Sequence, residues 1–279
     1  MTTQTAQLLA DSEQILEQID DEFYYGYRTL ISYDDEGKKL YSYQPLSLDD
    51  FLDPQEGDLF MQGTLHNDDV EALKGMFRYL HRDNELTVYS DLKILWALKW
   101  LKQPAPDVMV IPDVVEPDKP RSSFDVALEK TRPIFVLEVV SPRYRQPDRT
   151  SKVAIYEQAQ VAEYIIIDSW LKENGAVQYE ILGYRLQGAI YTEVKPDKQG
   201  RIFSQINQVW LSVNEAKTQF IVTDQNGELL LSDQEARQLV EAELQAEVEA
   251  HQQTEAELRA TQARLADVEA LLRQAQNTS

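Results

Sequence analysis

The stretch FVLEVVSPRYRQPDRTSKVAIYEQAQVAEYIIIDSW, Phe135 to Trp170, decides the architecture. It opens in IFVLEVV (134–140), an apolar run of strand length. RTSKVAIYEQAQ (149–160) then turns to helical periodicity, and EYIIIDS (163–169) is apolar again. Apolar strand, helix, apolar strand predicts a parallel crossover. Parallel strands need a connection of a dozen or more residues and are buried on both faces. The chain is therefore read as α/β. One residue disturbs the pattern. Glu138 is a lone carboxylate in the middle of the most buried-looking strand, and an unpaired charge there is strongly disfavoured. Either a cation of the chain sits beside it, or a metal ion does.

Further strands lie upstream. LTVYS (86–90) leads into a run through Ile94, Trp96 and Trp100. DVMVI (107–111) is short and apolar, and Asp107 opens it directly after Pro106. NDDVEALKGMFRYLHR (67–82) places Val70, Leu73, Met76, Phe77 and Leu80 on one helix face, with Asn67 as the expected N-cap. Nearer the N-terminus, FYYGYRTLISYDDEGKKLYSYQPLS (23–47) reads as two Tyr-rich strands around an Asp34-Asp35-Glu36-Gly37 turn. A short helical turn, Leu48 to Asp53, stops near Pro54, and residues 1–22 read as a polar lead-in. Downstream, 177–213 alternate as VQYEILGYRL and AIYTEV, expected to extend the sheet.

From Ser232 the character changes. This segment lacks Gly, Pro and aromatic residues, and Leu244, Leu258, Leu265 and Leu272 recur every seven positions, with His251 in the missing slot. The seam of Val248, Glu255, Gln262 and Glu269 is poor. A long helix is predicted, and both a solvated single helix and a dimeric coiled coil stay open.

Composition sets the outer bounds. The chain has 279 residues, 43% hydrophobic, enough for one sizeable domain and an appendage. It contains no run apolar enough to span a membrane, no secretory leader pattern, and no cysteine. Disulfides and thiolate metal sites are excluded, and a reducing cytoplasm is expected. The net charge of −21 speaks against a polyanion partner, but it is uneven. Residues 1–60 carry 14 acidic and 3 basic side chains, 233–279 carry 10 and 4, and the middle carries 24 and 20.

The chemistry-bearing residues interrupt the apolar pattern. Asp107 and Glu138 fall on neighbouring strands, and Asp148, Lys152 and Tyr156 recur at a spacing of four, on one helix face. Two carboxylates and a backbone carbonyl can hold Mg²⁺, which keeps several waters, and a lysine can offset developing charge. The plainer readings stand beside this one. A Pro-Asp pair commonly caps a turn, a buried Glu is commonly salt-bridged, here to Lys152, and a lysine is commonly at the surface. PRYRQPDRTSK (142–152) is the best phosphate-contacting segment through Arg143, Arg145 and Arg149, or else a solvated loop.

As an ordered set, PAPDVMVI, RPIFVLEVVSP, the Asp148–Lys152–Tyr156 spacing and VAEYIIIDS resemble the Uma-two family, within the PD-(D/E)XK nuclease superfamily. The likeness runs from about QPLSLDDFL (44–52) to the strands near 213. It implies a restriction-endonuclease-like core with a mixed central sheet flanked by helices, over 44–231. An N-terminal extension, 1–43, and the helix 232–279 flank it. It implies Asp107 and Glu138 as ligands of Mg²⁺ or Mn²⁺, and DNA as substrate. The superfamily's lysine two residues after the glutamate is missing, because Val140 stands there; Lys152 from the following helix is its expected replacement. His66, in GTLHNDD, matches the family's histidine just before the first helix and is expected at the metal water or a phosphate. Asp91 is a weaker candidate. The competing expectations are a weak or inactive nuclease fold serving as an interaction module through the C-terminal helix, and a hydrolase of small phosphoesters. A homodimer, through the core or that helix, is left open.

Overall fold

The computed structural model describes residues 22–60, 63–140, 145–172 and 176–277. The lead-in before residue 22 and Arg143 lie outside them. The chain forms two compact units, 1–230 and 231–279.

The first unit opens with a hairpin of β1 (Tyr27–Tyr33) and β2 (Lys39–Pro45). Asp34 Oδ1 builds its turn by accepting the N–H groups of Glu36 and Lys38 at 3.0 and 2.8 Å. The helix α1 (Leu48–Leu52) follows, started by a capping box between Ser47 and Asp50. β3 (Asp58–Leu59) then pairs with the free side of β1. Gly26 permits this approach: its φ is 104°, and a Cβ there would lie 1.9 Å from the Leu59 carbonyl oxygen.

Helix α2 (Thr64–Leu80) starts four residues earlier than expected, with Gly63 and not Asn67 as N-cap. His66 is consequently inside its first turn. Its side chain reaches Asp107, a tertiary contact that no capping rule anticipates. β4 (Leu86–Tyr89), β5 (Lys93–Leu95), β6 (Val108–Pro112), β7 (Ser123–Asp125) and the short α3 (Val126–Glu129) follow. The run expected through Trp100 ends at Leu95; β5 pairs in parallel with β7, and Trp100 is exposed in a turn.

Next come β8 (Phe135–Val140), α4 (Arg145–Arg149), α5 (Ser151–Gln158) and β9 (Glu163–Leu171). The expected single helix is two, broken at Thr150, whose φ and ψ of −130° and −67° are not helical. β10 (Val177–Gln187) and β11 (Ile190–Glu193) complete a six-stranded sheet of order β11-β10-β9-β8-β6-β4. Only β8 and β9 run parallel, so the sheet is mixed and the crossover is where the sequence puts it. The expected sheet extension divides. β12 (Ile202–Ser204), β13 (Val209–Val213) and β14 (Phe220–Thr223) form their own antiparallel sheet. Which sheet a strand joins depends on distant packing, not on its own alternation.

Every residue of β8 is buried, and its side chains alternate between two cores. Phe135, Leu137 and Val139 join Leu73 and Phe77 of α2 and the β12–β14 sheet. Val136 and Val140 join Ile155 and Tyr156 of α5. Glu138 takes the parity of Val136 and Val140 and faces α5. β6 obeys the same rule: Val108 and Val110 lie in the first core, Met109 and Ile111 in the second. Asp107 therefore shares the parity of Met109. The β6–β8 register, extended by one residue, sets it opposite Glu138 on the same face.

The second unit is α6 (Asp233–Asn277), 45 residues long. Ser232 and Glu235 close a capping box at its start, with the Ser232 N–H donating to Glu235 Oε2 at 2.8 Å. No described helix is long and apolar enough to cross a membrane.

Candidate active site

Glu138 is 1% exposed and held from two directions. Tyr156 donates its hydroxyl to Oε1 at 2.6 Å, and Lys152 Nζ lies 2.9 Å from Oε2. The same ammonium lies 2.8 Å from Asp148 Oδ1, four residues earlier, and 4.8 Å from the centre of the Phe51 ring. The break at Thr150 thus leaves the i, i+4 contact intact. Tyr164 supports it by donating its hydroxyl to the Asp148 carbonyl at 3.0 Å. Asp107 is fixed by the Val139 N–H, which donates to Oδ2 at 2.7 Å, and its Oδ1 lies 3.5 Å from His66 Nε2. His66, Asp107, Glu138, Asp148 and Lys152 line one cavity of about 750 Å³, whose wall also includes Asp91 and Lys93.

Two buried carboxylates, Glu138 and Asp148, and the partly buried Asp107 thus face one ammonium and one imidazole. Burial, with the charges of Asp107 and Asp148, pushes Glu138 up to about 8 despite Lys152 and the Tyr156 hydrogen bond. Burial also lifts Asp148, to about 6, against the pull of Lys152. Burial works against Asp107 too, but His66 and Lys152 outweigh it and hold the carboxyl below its ordinary value. Lys152 rises: burial disfavours its charge, and Asp148, Glu138 and Asp107 more than restore it. His66 behaves alike, with Asp107 and Glu138 overcoming its burial. With all three carboxylates ionised the pocket would be short of positive charge, so without a further cation Glu138 keeps its proton at neutral pH.

Asp107, Glu138, Lys152 and His66, expected from different parts of the chain, therefore meet at one point. Asp148 belongs with them, and its spacing from Lys152 was the signal. Asp91 lines the same cavity; its φ is 51°, and burial and then Asp107 raise its carboxyl. Among the described residues, no group of three or more His, Asp or Glu side chains is placed to hold a metal ion. Asp107 and Glu138 remain as a pair.

The basic residues are placed differently. Arg145 Nε and an Arg149 Nη lie 2.8 and 2.6 Å from Oδ2 of Asp168, a carboxylate of β9 that is 0% exposed. Arg149 also pairs with Glu180, and Arg145 stacks on Trp170. Their charge is matched inside the fold. The sequence carried the signal, since Asp168 interrupts EYIIIDS as Glu138 interrupts FVLEVV. Arg121 is likewise held by Glu129, at 2.8 Å.

The chain matches the Uma2 family, described as "Putative restriction endonuclease", over residues 51–214. A crystal structure of "a putative nuclease belonging to DUF820" from Anabaena variabilis aligns with 14% identity and a TM-score of 0.39. The alignment covers 58% of this chain and 91% of that one. No curated protein matches.

Proposed function

The chain belongs to the Uma2 family of restriction-endonuclease-like proteins, and from that premise we propose that it is a metal-dependent endonuclease cutting phosphodiester bonds of DNA. The observation that carries the reading is the convergence of Asp107, Glu138, Asp148, Lys152 and His66 on one cavity.

The donor set fits a hard divalent cation. Asp107, Glu138 and Asp148 together, once ionised, exceed the charge of Lys152 and His66, so a cation can take the place of the Glu138 proton, and oxygen ligands suit Mg²⁺ or Mn²⁺. Asp107 and Glu138 would hold the ion, with water at its remaining positions. When bound, it would polarise a phosphoryl oxygen and acidify its water. The side chains around it do the rest. The Val139 N–H and His66 orient Asp107, and Tyr156 orients Glu138. Lys152, pinned between Glu138 and Asp148, is preorganised to offset charge growing on the phosphate. His66 is the proton-carrying group at the other side of Asp107.

The test is relaxation of supercoiled plasmid with Mg²⁺ or Mn²⁺, beside Glu138→Ala and Lys152→Met. We expect metal-dependent nicking or linearisation by the parent and none by Glu138→Ala. Equal cleavage by parent and Lys152→Met would remove the lysine from the reaction. A second reading, a nuclease fold that recruits partners without cutting, is favoured by the neutralised Arg145 and Arg149. A folded parent without metal-dependent cleavage would select it.

A further inference from the structure

The second unit carries an inference independent of the nuclease reading. α6 displays Val240, Leu244 and Leu258 at 62%, 59% and 57% exposure, although a solvated helix would place polar residues there. A charge-laced single helix does not account for it. Residues 233–279 contain only four basic side chains, and the described part shows one i, i+4 ion pair, Arg259–Glu255.

Beside the poor seam four residues after each repeating position, a second lies three residues after it. Val240 precedes it; then come Leu244 and Glu247, His251 and Thr254, Leu258 and Thr261, Leu265 and Val268, Leu272 and Ala275. Alternating spacings of three and four make these the a and d positions of a heptad. From Leu258 onward the a positions are all Leu and the d positions are small or β-branched. Such a seam lets two backbones approach closely.

We propose that α6 pairs with α6 of a second copy of this chain as a parallel, in-register coiled coil. The flanking charges favour a second copy in that orientation. In a parallel pair, each g position meets the e position of the next heptad across the interface. Here those pairs are Glu243–Val248, Ala250–Glu255, Glu257–Gln262 and Arg264–Glu269. None joins like charges, and the one doubly charged pair is attractive and occurs twice. The helix is acidic as a whole, yet its g and e positions bring no like charges together across the interface; Glu247, at one d position, is the acidic residue that meets its own copy. Glu247, His251 and Thr254 make the upper seam polar, which weakens the pair and fixes register by setting each polar residue against its own copy.

The test uses the full chain in sedimentation equilibrium, with three variants. The parent should weigh twice its 32.2 kDa. Leu258→Glu/Leu265→Glu should weigh one chain, with the 1–230 unit melting as in the parent. His251→Leu should tighten the dimer on the order of tenfold or more, because it buries an apolar side chain from each copy. The protein has no cysteine, so Thr261→Cys should form one interchain disulfide in a glutathione buffer without background. A monomeric or trimeric parent overturns the proposal. So does a dimer that survives the double glutamate variant, or a dimer in which Thr261→Cys fails to cross-link.

Discussion

Glu138 and Asp168 interrupt adjacent parallel strands in the same way, and the fold treats them oppositely. Asp168 receives two guanidinium groups, from Arg145 and Arg149, and is fully buried. Glu138 receives one ammonium, which it shares with Asp148, and looks into a cavity that also holds Asp107. Glu163, at the start of β9, sides with Asp168: Arg185, the Ser204 hydroxyl and the Gln205 N–H all bind it. A carboxylate in an apolar strand is therefore no mark of a reactive centre by itself. The supply of cations around it separates a buried strut from a group that can still take an external partner.

The largest effect should come from stripping the strut. Arg145→Ala/Arg149→Ala leaves Asp168 without a cation in the interior, at a cost of about 3–5 kcal/mol. Urea denaturation measures it. If the double variant is as stable as the parent yet binds DNA more weakly, the arginines are phosphate contacts after all, and the contrast with Glu138 collapses.

Next comes Glu138→Gln. The glutamine keeps the shape, and the parent carboxyl, pushed up to about 8, is largely protonated at neutral pH in EDTA. Stability in EDTA should stay within about 1 kcal/mol of the parent, while cleavage should fall on the order of 10²-fold or more. Metal should stabilise the parent and leave the variant unmoved. A glutamine variant that cuts at the parental rate would make Glu138 a strut like Asp168.

These contrasts also show how far the sequence could be read. The β8–β9 crossover was legible because apolar runs and a helical period between them admit few topologies. Asp107 and Glu138 were legible as carboxylates of neighbouring apolar strands, whereas their shared face rests on a register that the folded sheet supplies. Other features depend on partners distant in sequence. His66 lies in the first turn of α2, and its ring meets Asp107, more than forty residues on. Arg145 and Arg149 looked available to a ligand until Asp168 folded beneath them. Asp148 announced itself through its spacing from Lys152, yet spacing alone does not say whether such a pair is surface decoration or the floor of a cavity.

Asp69 completes the series as a buried carboxylate with no cation in bonding contact among the described residues. Tyr179 donates its hydroxyl to Oδ2 at 2.9 Å. Burial dominates, and that hydrogen bond with the His66 charge only partly offsets it, so the carboxyl sits at about 6. In the unfolded chain it titrates near its ordinary value, about 3.9. Between those values the folded state holds a proton that the unfolded state has lost. Stability from this group is thus fully present below about 4 and falls as pH rises to about 6. Asp69→Asn keeps an acceptor for Tyr179 and removes the titration. The variant should match the parent near pH 4 and exceed it at pH 7 by about 1–2 kcal/mol, after allowing for partial hydration of the site. Urea midpoints across that range, in EDTA, read the difference directly. A variant less stable than the parent at pH 7 would mean that His66 binds Asp69 as tightly as the arginines bind Asp168, and the graded series would lose its last member.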